Sequence, residues 1–160
     1  MRDAEFEQLY AEHAQALYGF LAYRTGDRVL AEDLLSETFE RALRARSRFS
    51  RRRGTPKAWL YAIALNCARN AARSRGVEQR ALERIGPPGE AADPGLSLED
   101  RDQLMQALSQ LAAEERDALS LRFGAGLSSP EIARLTGERL TTVEGRVYRG
   151  LRKLRALVED

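Results

Sequence analysis

Asn66, Arg69, Asn70 and Arg73 fall at i, i+3, i+4 and i+7, which places two amides and two guanidiniums on one helix face beside Trp59. Such groups hydrogen-bond base edges and phosphates, and an indole plane stacks on an unpaired base, so the stripe suits opened DNA better than duplex. Around it, Arg41 to Val77 holds eleven cations, among them Arg51, Arg52 and Lys57, and no acid. A second acid-free run, Gly145 to Val158, carries Arg146, Arg149, Arg152, Lys153 and Arg155, whereas residues 76 to 100 hold six acids against two arginines. The formal net charge of +2 therefore conceals two separate basic footprints, the pattern expected of a nucleic-acid binder.

Other groupings exclude other chemistry. Asp33 and Glu37 lie one helical turn apart, with Glu40 and Arg41 following, but no third ligand stands at metal spacing. A glycine-rich phosphate cradle and a nucleophile paired with a base are also missing. Beside Leu34 and Phe39 the two acids read instead as a protein-docking ridge. A single cysteine, Cys67, and a single histidine, His13, cannot build a disulfide framework, a structural zinc site or an imidazole triad. A chain with no cofactor, no metal and no enzymatic activity is expected. No apolar run approaches the roughly 20 residues of a membrane helix, and the N-terminus is acidic and amphipathic. These features predict a cytoplasmic protein without membrane insertion.

The elements that position these groups are all predicted helical. Phe6, Leu9, Tyr10, Leu17, Phe20 and Leu21 recur at helical spacing until Gly26-Asp27. A second helix, Val29 to Ala45, carries Leu30, Leu34, Leu35, Phe39, Ala42 and Leu43 on one face. After a basic loop, Thr55-Pro56 opens a third helix over about 56 to 75, with Trp59, Leu60, Ile63, Cys67 and Ala71 as its buried stripe. GPPGEAADPG within residues 76 to 100 reads as an acidic flexible linker. Beyond it, Leu98, Leu104, Met105, Leu108 and Leu111 mark a fourth helix, and Ala118, Leu119, Arg122 and Phe123 a fifth. Ser128-Ser129-Pro130-Glu131 is a capping box opening a short helix to Gly137, and Thr141-Thr142-Val143-Glu144 repeats that pattern before a longer basic helix. Two helices joined by a tight turn, the second basic, predict a helix-turn-helix. Arg139, Thr141, Thr142, Glu144 and Tyr148 are then candidates for base edges, with Arg146, Arg149, Arg152 and Lys153 for phosphate.

These motifs resemble, in order, those of the extracytoplasmic-function sigma factors. AEDLLSETFERAL, residues 31 to 43, is similar to the family's polymerase-docking helix, which implies core-polymerase contacts at Asp33, Leu34, Glu37, Thr38 and Phe39. TPKAWLYAIALNCARNAARSR, residues 55 to 75, resembles the helix that reads and melts the -10 element. That implies DNA contacts at Arg51, Arg52, Lys57, Trp59, Tyr61, Asn66, Arg69, Asn70 and Arg73. LSSPEIARLTG followed by TTVEGRVYRGLRKLR is similar to the -35-reading helix-turn-helix. The chain departs from the family at Ser36, Ala112, Arg139, Glu144 and Gly145. The resemblance implies an all-α protein of two small helical domains, residues 1–75 and 101–160, joined by the 76–100 linker. It further implies core RNA polymerase, promoter DNA and an anti-sigma protein as partners of a chain that is monomeric when free. The rival reading is an autonomous helix-turn-helix repressor or activator that binds duplex DNA without polymerase.

Overall fold

Local signals set the helix ends. The computed structural model describes residues 1–78 and 98–159, and its regular elements there are helices. Helix α1 spans Asp3–Thr25 and stops at Gly26, whose left-handed backbone (φ 71°) lets its N–H reach the Ala22 carbonyl. Asp27 then caps α2, Arg28–Ala45, by accepting from the Leu30 N–H at 3.0 Å. The basic loop forms two short 3-10 turns, Arg46–Arg48 and Arg51–Arg53. Thr55 Oγ1 accepts from the Ala58 N–H at 3.1 Å and Pro56 opens α3, Pro56–Glu78.

Helix α3 runs three residues past the expected end at 75, and α4, Leu98–Ser109, begins before 100, so both ends of the expected linker are helical. Its remainder, residues 79–97, lies outside the described residues. Helix α5, Ala113–Leu119, passes into a single wide π turn, Ser120–Gly124. That turn shifts the helical register, so Leu121 is buried while Phe123, one of the residues expected to mark the fifth helix, is 58% exposed.

Helices α6, Ser129–Thr136, and α7, Leu140–Glu159, form the helix-turn-helix. The first capping box is present: Ser128 Oγ accepts from the Glu131 N–H at 3.2 Å, and Glu131 Oε1 accepts from the Ser128 N–H at 2.9 Å. The second is not. Gly137 (φ 72°) closes α6, and the N–H groups of Gly137 and Glu138 both turn back to the Ala133 carbonyl. Only Glu138 and Arg139 remain for the turn, and the Val143 N–H already donates to Arg139 O at 3.1 Å. Arg139 therefore stands at the cap position, Thr141 lies inside the first turn, and the Thr141–Glu144 pair caps nothing.

Helices α1, α2 and α3 pack around Leu17, Phe20, Leu21, Leu34, Leu60 and Tyr61. The Phe20 and Tyr61 rings meet edge to face, 5.3 Å between centroids. The expected stripe of α3 is corrected: Tyr61, Ala64, Leu65 and Ala68 are buried with Leu60 and Cys67, while Trp59, Ile63 and Ala71 are only partly covered. The cause is tertiary, because α6 packs on α3 as well as α1 and α2 do. Leu121, Leu127, Ile132 and Val143 join this same core. A smaller core, Met105, Leu108, Leu111 and Leu119, is closed by Leu151 and Leu154 of α7. Helices α5 and α7 approach so closely at Gly150 that a Cβ there would lie 3.0 Å from Leu119 Cδ1.

Candidate nucleic-acid interface

The outer face of α3 carries the expected stripe. Asn66, Asn70 and Arg73 are exposed, and the Arg69 side chain is 37% exposed. Asn66, Asn70 and Arg73 thus present two amides and a guanidinium on one side of a helix anchored by Leu65, Cys67 and Ala68. Arg69 is engaged elsewhere, its Nε donating to Asp117 Oδ2 of α5 at 2.9 Å. Trp59 is half-buried and packs on Phe49, with ring centroids 5.2 Å apart, at the end of the stripe nearer the basic loop. Arg52 is exposed, and Arg51, also exposed, pairs with Glu5 at 2.7 Å. Lys57 is half-buried, 6.0 Å from the Tyr61 ring centroid.

Tyr61 does not belong to that surface. It is 1% exposed, and burial pushes its phenol up to about 12. A side chain enclosed by Phe20 and its neighbours offers DNA no edge, so the expected contact is corrected to a core role.

On α2 the docking ridge shrinks in the same way. Leu34, Thr38 and Phe39 are buried: Thr38 Oγ1 donates to the Leu34 carbonyl at 2.6 Å, and Phe39 packs against Phe6 and Tyr10. These three hold the helix in place and are not available to a partner. The exposed part of the ridge is Asp33, with Glu37 half-buried beside it and paired with Arg41 at 2.7 Å.

The start of α7 presents a compact polar end. Arg139, Thr141, Glu144 and Tyr148 are exposed and Thr142 is half-buried. Val143 anchors this end at 1% exposure. Arg146 is tied back to Glu138 at 3.4 Å, and the Arg152 guanidinium lies 5.9 Å from the Tyr148 ring centroid.

Two of the expected phosphate ligands, Lys153 and Arg149, approach a buried carboxylate while more than half of each side chain stays exposed. Lys153 Nζ donates to both oxygens of buried Glu115, at 2.9 and 3.0 Å, and Arg149 Nε lies 3.9 Å from the same carboxylate. The Lys153 hydrogen bond, followed by the Ala112 N–H and the charges of Lys153 and Arg149, outweighs burial and holds the Glu115 carboxyl below the usual carboxylate range. Lys153 therefore also ties α7 to α5.

Sequence reasoning passed over Arg24, Glu115 and Asp117. A signal existed for two of them. Arg24 follows Leu17, Phe20 and Leu21 on the buried stripe of α1, and Asp117 stands four residues before Leu121, so each is a charge placed where the apolar period calls for a hydrophobe. Among the described residues there is no group of three or more His, Cys, Asp or Glu arranged to hold a metal. No helix among them is long and apolar enough to cross a membrane.

Comparison with known proteins places this geometry. Residues 9–77 match Sigma-70 region 2, and residues 101–154 match Sigma-70, region 4. The chain is 40% identical to the RNA polymerase sigma factor CarQ of Myxococcus xanthus, over 97% of this chain and 90% of CarQ. It is 31% identical to the extracytoplasmic-function RNA polymerase sigma factor SigL of Mycobacterium tuberculosis, over 95% of this chain and 88% of SigL. Among solved structures it is similar to the sigma factor RpoE of Bartonella quintana, crystallised in complex with the anti-sigma factor NepR. The TM-score is 0.79, with 29% identity and 97% of each chain covered. With both sigma regions matched in order and nine-tenths of CarQ spanned, the chain belongs to the sigma-70 family of RNA polymerase sigma factors, in its extracytoplasmic-function group.

Proposed function

We propose that the two helical groups divide the work of this sigma factor between the two promoter elements. Asp33 and Glu37 of α2 dock on core RNA polymerase. The α3 face made by Asn66, Arg69, Asn70 and Arg73 takes the opened -10 strand, Trp59 stacks at its end, and Arg51, Arg52 and Lys57 hold phosphate. Arg139, Thr141, Thr142, Glu144 and Tyr148 read the -35 duplex. The observation that carries the reading is that exposed amides and cations cover α3 in the same chain as a helix-turn-helix whose polar end is equally exposed. Strand-opening and duplex-reading surfaces in one molecule suit initiation better than repression.

The free chain is a cytoplasmic monomer in this reading. That RpoE is held by NepR supports an anti-sigma partner here as well. The test is reconstitution. With core polymerase the protein should direct transcripts from one promoter and should show no promoter preference without core; sequence-specific binding of duplex DNA by the chain alone would favour the autonomous regulator.

Within that reading, Asn66→Ala and Arg73→Ala should weaken open-complex formation by about tenfold while leaving closed-complex binding nearly unchanged, because both groups meet DNA after strand separation. Potassium permanganate footprinting against gel-shift affinity separates the two steps. A pre-melted template should restore much of the Asn66→Ala loss. Equal losses on duplex and pre-melted templates would move Asn66 off the opened strand.

Glu144 gains weight from the missing capping box. As an exposed acid in the second turn of α7 it is free to accept from the N4 amino group of cytosine, a contact that discriminates by about 1–3 kcal/mol. Glu144→Gln should then lose a cytosine preference at one -35 position in a selection from randomised sequences. An unchanged preference would leave Glu144 as a solvated charge.

A further inference from the structure

We infer that Glu115 is an internal counter-ion that stands in for a DNA phosphate at Lys153, and so limits how tightly α7 holds the backbone of the -35 duplex. The inference rests on assigning α7 to that duplex, and it adds a positioning residue that itself touches no DNA. Glu115 lies in the first turn of α5, and its side chain is 7% exposed. Both of its oxygens are filled within the same helical group. Oε1 accepts from the Ala112 N–H at 3.3 Å and from Lys153 Nζ at 2.9 Å. Oε2 accepts from the same Nζ at 3.0 Å, with Arg149 Nε 3.9 Å away.

The bare backbone of α7 makes this arrangement possible. Arg149 and Lys153 stand one turn apart on one face. Gly150 lies between them, where a Cβ would sit 3.0 Å from Leu119 Cδ1 and 3.6 Å from Glu115 Cβ, so its absence lets α5 come close. Gly145, one of the departures from the family, leaves space for the Arg149 guanidinium, because a Cβ there would lie 3.1 Å from Nη1. Arg149 is thereby folded back along α7, and Lys153 is turned toward α5.

Two physical arguments make Glu115 a limit on DNA binding rather than only a joint. An ammonium has three donors, and the Lys153 group spends donors on both oxygens of a carboxylate that water hardly reaches. Drawing Lys153 off to a phosphate would leave that enclosed charge short of its partner, which is unfavourable. The contrast on the same helix is Arg152, which is exposed, rests near the Tyr148 ring and forms no ion pair among the described residues. Glu115 thus cancels one of the positive charges that α7 offers to DNA. Phosphate contacts carry no base sequence, so the cancelled charge changes affinity for all duplexes alike.

Glu115→Gln removes the charge and keeps the cap, since an amide oxygen still accepts from the Ala112 N–H. Glu114→Gln makes the same charge change at the neighbouring exposed position. Both are compared with wild type as reconstituted holoenzymes. Fluorescence anisotropy reads their binding to a promoter duplex and to a random-sequence duplex of equal length, from about 50 to 200 mM salt. For Glu115→Gln the slope of log affinity against log salt should steepen by about one. Affinity for both duplexes should rise together, by about fivefold at the lowest salt, and Glu114→Gln should follow wild type. Glu115→Gln with Lys153→Met removes the pair without leaving a buried charge, and should restore the wild-type slope. The double variant carries the test by itself if circular dichroism shows the single one unfolded. A slope for Glu115→Gln no steeper than that of Glu114→Gln, or a double variant about one below wild type, overturns the inference, because Lys153 would then already hold a phosphate. Arg139→Ala combined with Arg152→Gln examines the underlying assignment separately. Unchanged duplex affinity there would take α7 off the -35 element, and the counter-ion role with it.

Discussion

Replacing Asp33 and Glu37 together by arginine should weaken association with core RNA polymerase by about a hundredfold or more, while circular dichroism and thermal melting change little. The exposed end of the α2 ridge carries its charge on these two side chains, and like-charge juxtaposition in an interface costs several kcal/mol, about a hundredfold for each 2.7 kcal/mol. Within the folded chain the cost is small. Asp33 is exposed and forms no ion pair among the described residues, and Glu37→Arg exchanges an attraction to Arg41 for a repulsion one turn apart, about 0.5 kcal/mol on a helix surface. Size-exclusion chromatography or biolayer interferometry with core enzyme reads the affinity. A folded double variant that still bound core would place the docking surface elsewhere, and the exposed Tyr10 on the neighbouring face of Phe39 is then the next residue to alter.

Tyr61→Ala should destabilise the protein by about 3–5 kcal/mol, because it empties a fully enclosed site between α1 and α3 and removes the edge contact to Phe20. Tyr61→Phe keeps the ring and should cost far less. The pair separates a core role from a DNA role. A tyrosine whose hydroxyl met DNA would lose promoter opening on change to phenylalanine, whereas a core tyrosine would keep it. Alkaline titration gives a second readout. The phenol ionises near 10 when unfolded and is pushed up to about 12 by burial, so the stability linked to its neutral form is complete below pH 10 and is lost as pH rises through about 12. Tyr61→Phe should lack that loss. Denaturant unfolding at neutral and alkaline pH checks both parts. A Tyr61→Ala variant as stable as wild type would mean that the ring is not packed as described.

These corrections share one physical origin. Periodicity locates an apolar stripe but does not say how many neighbours cover it. On α2 the AEDLLSETFERAL motif mixes residues that hold the helix with residues left outside, and only packing against α1 and α3 sorts Leu34, Thr38 and Phe39 from Asp33. On α3, cover from α6 as well as from α1 and α2 drew Tyr61 and Ala64 inward and left Trp59 at a rim.

What the amino-acid sequence determined by itself was local or summed over many residues: the all-helical class, the stops at Gly26 and Gly137, the starts at Pro56 and after Ser128, the two basic footprints, and the order of motifs that marks an extracytoplasmic-function sigma factor. Caps and turns depend on side chains within four residues of the group they satisfy, so they are legible in one dimension. The cap at Arg139 shows the edge of that rule, because a two-residue turn after Gly137 decided where α7 begins although Thr141 and Glu144 had the right spacing. The tertiary structure alone decided which charges meet. Asp117 finds Arg24 and Arg69 across 93 and 48 residues of chain, and Lys153 finds Glu115 across 38. Such pairs depend on which helix faces are pressed together, and that is set by the burial of the shared core rather than by the residues beside each charge.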